Sequence, residues 1–298
     1  MSKLSFLIPA RNEEFLAKTV ENIIENTNEG TEVIAVLDGE WADPGIVQHP
    51  RVKVVYLPES VGQRAATNIA AKLSKAKYVC KIDAHVAMDK DWDLKMIEFM
   101  EEHGDDTTAV STMKNLHAFD WVCEEGHRRY QGRSGPCEVC NGPTKKEILW
   151  RAKPSPNSTS YAFDKTLKFQ YFGQYKKHQH EDWGETMSLQ GSCFMLTRDK
   201  YWELDICDEK AGSWGHQGSE VALKTWLSGG KVLVNKKTWY AHMFRTQGGD
   251  FGFPWPARES KIEKTRQYFR SIFLEDKWPK AKRKLQWLID KFDPPQWK

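Results

Sequence analysis

Apolar residues come in short runs along the first third of the chain, and each run ends in a polar loop. "KLSFLI" (3–8), "TEVIAVLDG" (31–39), "VKVVYL" (52–57), "KYVCKID" (77–83) and "TTAVSTM" (107–113) read as strands. Between them, "EEFLAKTVENIIENT" places Phe15, Leu16, Val20, Ile23 and Ile24 on one helical side. "VGQRAATNIAAKLSKA" predicts a helix opening near Gly62, and "DWDLKMIEFMEEH" one capped by Asp91. Strands alternating with helices predict an α/β domain on a mostly parallel sheet. In such sheets ligands bind beyond the carboxyl ends of the strands. Pro9 to Asn12, Asp38-Gly39 and Asp83-Ala84-His85 all fall at those ends.

From about His117 to Lys153 the pattern breaks into a polar, turn-rich stretch that reads as an insertion. Regular structure resumes with "SCFMLTRDKYWEL", a strand leading into a helix. "SEVALKTWLSGG" is a helix stopped by Gly229-Gly230, and "KVLVN" and "TWYAHMFR" are strands. The tail holds two helices, "ESKIEKTRQYFRSIFLED" and "PKAKRKLQWLIDKF". The expected organisation is therefore residues 1–116, an insertion at 117–153, a second half at 154–250 and a helical tail at 251–298.

Composition narrows the class. With 298 residues, 40% hydrophobic and 29% charged, the chain is that of a soluble globular protein, and no apolar run is long enough to span a bilayer. The N-terminus lacks the apolar core and cleavage site of a signal peptide, so a cytoplasmic location is expected, in a bacterium or a virus-infected host cell. Six cysteines in a chain of this length are expected to be thiols or metal ligands. The stretch 257–298 holds twelve Lys/Arg against six Asp/Glu on an otherwise slightly acidic body. That asymmetry fits either a polyanionic partner or a solvated helix face. Thirteen tryptophans exceed what a core alone requires, and exposed ones would serve as stacking surfaces for sugars or bases.

Asp83 and His85, at the tip of the strand in "CKIDAHVAMD", pose the sharpest chemical question. They either cap a turn or place two ligand-capable side chains in the ligand crevice. Four stretches in order, "LSFLIPARNEE", "EVIAVLDG", "VGQRAATNIA" and "YVCKIDAHVAM", resemble the nucleotide-sugar glycosyltransferases of the GT-A type, family 2 in particular. The later "AGSWGHQGSEVALKTWLSGGKVLVNKKTWYAHMFR" resembles the polypeptide N-acetylgalactosaminyltransferases. The likeness covers roughly residues 3–113 and 190–246. It implies a GT-A fold, a UDP-sugar donor, and Mn2+ (or Mg2+) held by Asp83, His85 and His242. A divalent cation suits a sugar diphosphate, because it neutralises charge on both phosphates of the leaving group. The resemblance also places Pro9, Arg11, Asn12, Asp38, Gly62, Arg64, Asn68 and Ala84 around the nucleotide. Gly191 in "QGSCFML" falls against donor sugar and acceptor, and Trp214 flanks the donor. For Asp38 a plain Asp-Gly turn, for Arg64 and Asn68 helix capping, and for Trp214 core packing are the structural alternatives.

Two departures bear on mechanism. Inverting family 2 enzymes carry a Glu-Asp pair at a helix start whose Asp is the general base, and here "GHQGSE" puts Gln217 and Gly218 there. Glu220, Asp182 and Asp250 are the remaining candidates. The polypeptide transferases retain configuration and need no dedicated base, but their acid too falls on Gln217. Retention is the favoured expectation.

Within the insertion, Cys123, His127, Cys137 and Cys140 form C-x3-H-x9-C-x2-C, a spacing suited to a tetrahedral structural Zn2+, with His117 an alternate ligand. Arg128, Arg129, Tyr130 and Arg133 lie between the ligand pairs. Cys80, Cys193 and Cys207 sit in or near apolar runs and read as buried thiols.

The expected protein is thus a metal-dependent transferase moving a sugar from a UDP-sugar to a hydroxyl. No anchor or lectin-like stretch points to a Golgi peptide transferase. The basic tail and basic insertion favour a nucleic-acid acceptor, such as a hydroxymethylated pyrimidine in phage-type DNA flipped from the duplex. A protein or saccharide acceptor is the alternative, and a non-catalytic zinc-stabilised nucleic-acid-binding protein is the rival from another class.

Overall fold

The computed structural model describes residues 2–245, 252–253 and 259–298. Its strands are β1 (Leu4–Ala10), β2 (Thr31–Asp38), β3 (Val52–Leu57), β4 (Tyr78–Ile82), β5 (Val86–Met88), β6 (Thr107–Cys123), β7 (Arg128–Tyr130), β8 (Thr144–Ser158), β9 (Tyr161–Phe163), β10 (Phe169–Tyr171), β11 (Trp183–Glu185), β12 (Cys193–Thr197) and β13 (Lys231–His242). Its helices are α1 (Leu16–Asn26), α2 (Gln63–Leu73), α3 (Trp92–His103), α4 (Arg198–Glu203), α5 (Gln217–Leu227), α6 (Glu259–Phe273) and α7 (Leu285–Phe292).

One large sheet runs in the order β11-β13-β6-β12-β4-β1-β2-β3. β1, β2, β3 and β4 pair in parallel, which explains why "LSFLIPA" and "TEVIAVLD" are apolar on both faces. All eight residues of β2 are buried. The second half departs from the mostly parallel expectation. β12 lies antiparallel between β4 and β6, and β5 and β11 lie antiparallel to β13. The sheet is therefore mixed.

Helices cover both faces. α1 and α3 pack with Phe6, Val33 and Met195, while α2, α5, α6 and α7 pack with Leu7, Ile34 and Phe194. The basic tail belongs to this second layer. Phe273, Leu288 and Phe292 are buried in it, each contributing about 1.5–3 kcal/mol of burial. The tail is therefore docked rather than an arm. Asp91 precedes α3 as expected, but in a left-handed conformation and without a capping side-chain bond. "KVLVN" and "TWYAHMFR" merge into one strand, β13, with a bulge between Asn235 and Trp239.

The expected break at residue 117 falls inside β6. The stretch 117–153, read as a polar, turn-rich insertion, is the far part of a ribbon in which β6 pairs antiparallel with β7 and β8. Its polar residues hid the strands because β8 is solvated along much of its length, with Trp150 its one buried residue. At the base of the ribbon, Leu116, Ala118, Phe119 and Trp150 form a third core with Phe15, Ala87, Ala241 and Met243.

Candidate functional site

A cleft of about 1000 Å³ opens at the carboxyl ends of β1, β2 and β4 and at the start of α5. β4 ends at Ile82, and the amide of Asp83 donates to the Ser192 carbonyl at 2.9 Å, so the chain turns into the cleft while still tethered to the sheet. β5 then pairs with the end of β13, setting His242 opposite Val86. The Met243 amide also donates to the His85 carbonyl at 3.1 Å. These bonds bring Asp83, His85 and His242 together, with ligand atoms all within 4.8 Å of one another. His242 Nε2 is 3.2 Å and His85 Nε2 3.9 Å from Asp83 Oδ2, and the two imidazole centroids are 4.9 Å apart.

The electrostatics suit a cation. Withdrawal from water opposes the charge on Asp83, but Lys81 and the histidines outweigh it and hold the carboxyl well below its usual range. Lys81 is itself buried, bonded to Asp83 and to the Gly191 carbonyl at 2.7 Å. Burial drives His242 down to about 4, so its imidazole is neutral and keeps one ring nitrogen with a lone pair for a metal. His242 Nδ1 is buried without a hydrogen-bond partner among the described residues. One carboxylate and two imidazoles, each offering one ligand atom, make a donor set that fits a borderline-hard divalent ion such as Mn2+.

Glu13, which sequence reasoning passed over, completes this arrangement. Its Oε2 is 3.3 Å from His85 Nδ1, leaving Nε2 for the cleft, and its other oxygen pairs with Arg245. Nothing in "NEE" distinguishes Glu13 from Glu14. Lys81 did leave a signal, since a lysine inside an all-buried strand requires a partner.

Pro9, Arg11, Asp38, Gly62, Ala84, Gly191, Trp214 and Gln217 line the cleft, together with the three ligands. Asp38 is committed to the loop after β3, accepting from the amides of Val61 at 2.6 Å and Gly62 at 3.0 Å and from the Ser60 hydroxyl at 2.8 Å. Gly62 has φ +91°, and a Cβ there would overlap Ser213. Gln217 lies at the start of α5, its Nε2 2.8 Å from Cys207 Sγ and its Oε1 buried without a partner. Gly218 lets that helix end press against residues 189–191, where a Cβ would overlap the Leu189 carbonyl.

Other expected residues lie elsewhere. Arg64 is buried and bonds Glu220 at 3.0 Å and the carbonyls of Gly212 and Gly215, so it fixes the Trp214 loop from behind. Asn68 bonds the Cys207 carbonyl, Glu209 and Tyr201. Asn12 is exposed, at φ +50°, outside the cleft lining. Glu220 is fully buried between Arg64 and Lys224 and accepts the Asp208 amide at 2.8 Å. Burial opposes its charge, but Lys224 and Arg64 hold its carboxyl below the usual range. A residue so enclosed cannot take a proton from an acceptor. Asp182 is exposed, pairs with Lys237 at 3.1 Å and lines a smaller, separate pocket. Asp250 lies outside the described residues.

At the ribbon tip, Cys123, His127, Cys137 and Cys140 also converge, with ligand atoms within 4.8 Å. Cys123 Sγ lies 3.7 Å from Cys140 Sγ and 3.5 Å from His127 Nδ1. A tetrahedron of ~2.3 Å metal–sulfur bonds has edges of roughly 3.8 Å. Cys137 sits in a tight turn, its amide donating to the Gly142 carbonyl and its carbonyl accepting from Asn141. Amide bonds from Cys140 and Val139 lower its thiol to about 6. His117 is not the fourth ligand, since it bonds Asp120 at 2.7 Å.

Comparisons with known proteins bear on the fold. Residues 5–132 match the Glycosyl transferase family 2 domain. That match covers less than half of the chain, and the fold itself is of the GT-A type. It is 23% identical over 247 residues to N-acetylgalactosaminyltransferase 4 of Drosophila melanogaster, 78% of this chain but 34% of that one. The chain thus spans about a third of that relative's length. Of solved structures, that of GalNAc-T7 with UDP, GalNAc and Mn2+ superposes with a TM-score of 0.69 at 16% identity, covering 97% of this chain and 57% of the other. S. aureus TarS 1-349 in complex with UDP-GlcNAc superposes at 0.55 and 15% identity, covering 97% and 70%. No described helix is long and apolar enough to cross a membrane.

Proposed function

We propose that the protein transfers a sugar, an N-acetylhexosamine in the first instance, from its UDP conjugate to an acceptor hydroxyl. The observation carrying this reading is the convergence of Asp83, His85 and a neutral His242 at the strand ends of a GT-A fold, inside the large cleft. Asp83, His85 and His242 would hold Mn2+, which when bound supplies positive charge to the departing diphosphate. Around it the chain acts by position. Lys81 keeps Asp83 ionised and aimed, and Glu13 orients His85. Gly62 lets the start of α2 close on Ser213, and Gly191 and Gly218 let the start of α5 close on residues 189–191, which shapes the cleft wall. Arg64 and Glu220 fix the loop carrying Trp214 from outside the cleft.

Transfer proceeds with retention in this reading. The cleft-lining carboxylates among the described residues are Glu13, Asp38 and Asp83, and each is already engaged, so none is left as a dedicated base. The named relatives' similarity at 78% of the chain supports the N-acetylhexosamine donor. The expected hydroxymethylated-DNA acceptor draws no support from those relatives. Several of the cations that suggested it are paired within the chain. Lys291 pairs with Glu185, Arg266 with Glu263, Arg128 with Glu147 and Arg129 with Glu138. A saccharide or protein hydroxyl is the preferred acceptor. The cysteine cluster belongs to the same reading as a separate structural Zn2+ site.

The direct test incubates the protein with UDP-GalNAc, UDP-GlcNAc and UDP-glucose and Mn2+, with and without chelator, against saccharide, peptide and hydroxymethylated-DNA acceptors. UDP release from an N-acetylhexosamine donor that chelation abolishes supports the reading. Absence of UDP release from every donor would refute it in favour of a non-catalytic binding protein.

A further inference from the structure

The zinc-type cluster and the cleft cluster stand on one continuous piece of packing. Phe119 on β6 is four residues from Cys123, roughly 14 Å of strand at ~3.4 Å per residue. At that level the ribbon meets the loop after β1. Phe15 packs on Phe119 at 6.1 Å and on Trp150 at 5.5 Å between ring centroids. Lys146 of β8, opposite Trp121, pairs with Glu14. Its ammonium lies 4.7 Å from the Phe119 centroid, 5.5 Å from Phe15 and 5.6 Å from Trp121. Glu13, next to Glu14 and two residues before Phe15, holds His85 Nδ1. Ala87, two residues beyond His85, and Ala241 and Met243, flanking His242, lie in the same buried cluster as Phe15, Phe119 and Trp150.

The ribbon has little else to hold its tip. β7 is three residues long, and the segment from Gly132 to Pro143 is almost free of strand pairing. Val139 there is exposed and contributes nothing to a core. Four ligands drawn from both sides of the tip would close it where apolar packing does not.

We propose that Cys123, His127, Cys137 and Cys140 bind one Zn2+ per chain. We further propose that this ion, by registering β6 against β8, holds Phe15 and Glu13 in place and thereby sets His85 for the cleft metal. Phe15 is in this account a positioning residue, acting through Glu13. The second part rests on the cleft being a Mn2+ site, as proposed above.

The test uses the full chain. Elemental analysis counts zinc, and spin-resonance titration measures Mn2+ affinity for three samples. These are the wild type, the wild type stripped of zinc and freed of chelator, and Phe15→Leu. The expected results are one zinc per wild-type chain and Mn2+ binding weakened about tenfold on stripping, the scale of lost second-shell support. Zinc added back restores it. Phe15→Leu keeps its zinc yet shows the same weakened Mn2+ binding. No zinc, or iron in its place, overturns the site. Unchanged Mn2+ affinity in the stripped protein overturns the coupling. If stripping unfolds the chain, Phe15→Leu decides that point alone, and normal Mn2+ binding in it overturns the coupling. A wild type that carries zinc but binds no Mn2+ refutes the coupling along with the cleft reading and leaves the zinc site standing.

Discussion

His242 Nε2 lies 3.2 Å from Asp83 Oδ2 across 159 residues of sequence. Neither residue is near the other on any local element. The antiparallel pairing of β5 with β13 makes the contact, and Asp83 meets it at the tip of β4. A carboxylate held ionised beside an imidazole that burial keeps neutral is a pair prepared for a cation rather than a salt bridge.

Replacing Asp83 by Asn should therefore remove metal-dependent UDP release in a chain that stays folded but is less stable, since the buried Lys81 loses its counter-charge. The expected loss is roughly a hundred- to a thousandfold, a few kcal/mol of leaving-group stabilisation. Circular dichroism and UDP-release kinetics on the same preparation check this. Full activity in Asp83→Asn would place the metal elsewhere.

Glu220→Gln should behave in the opposite way. It leaves Arg64 and Lys224 buried without their counter-charge, at a cost of about 3–5 kcal/mol. Asp182→Ala, at an exposed pair with Lys237, should cost under about 1 kcal/mol and leave activity unchanged. Denaturant titrations and rates of all three proteins separate the cases. A stable but inactive Glu220→Gln would restore Glu220 as a catalytic candidate.

Gly218→Ala tests the seating of α5 against residues 189–191. A methyl group there meets the Leu189 carbonyl, so the helix start must move, costing about 1–3 kcal/mol. Because Gln217 and Gly191 move with it, KM for the UDP-sugar should rise more than the stability loss alone would suggest. An unchanged KM would separate the helix start from donor binding.

Acid should weaken the protein through His216. Burial first, and then Arg266 and Arg64, lower its pKa from 6.5 to about 4, with Glu263 opposing. Arg266 Nε donates to its Nε2 at 3.1 Å, which requires the neutral ring. Between these values the unfolded chain binds a proton that the folded chain does not. Stability is therefore complete above about pH 6.5 and declines as pH falls toward about 4. Urea midpoints across that window should fall less steeply in His216→Gln than in the wild type, and equal slopes would count against the assignment.

Much of the donor half was legible because its chemistry is local. "KIDAHVAM" places Asp83 and His85 at one strand tip, and the buried runs of β1 and β2 report a central sheet directly. Gly62 and Gly191 were read as places where backbone meets a ligand, and the structure shows each closing on a neighbouring segment, Ser213 and the start of α5. Arg64, Asn68 and Glu220 were misplaced because polar residues at a helix start serve a ligand or a buried network with the same sequence signature. Only the fold reveals that α2 and α5 face each other through an Arg64–Glu220 pair. The ribbon was missed for a similar reason. β8 is solvated on much of its length, so it carries little apolar pattern, and its cysteines were visible where its strands were not.

The most direct measurement of the central claim is a calorimetric titration of UDP into wild type and Asp83→Asn, each with and without Mn2+. The account predicts tight binding only for wild type with Mn2+, since the diphosphate is held through the ion at Asp83, His85 and His242. UDP binding of equal strength in all four titrations would contradict it.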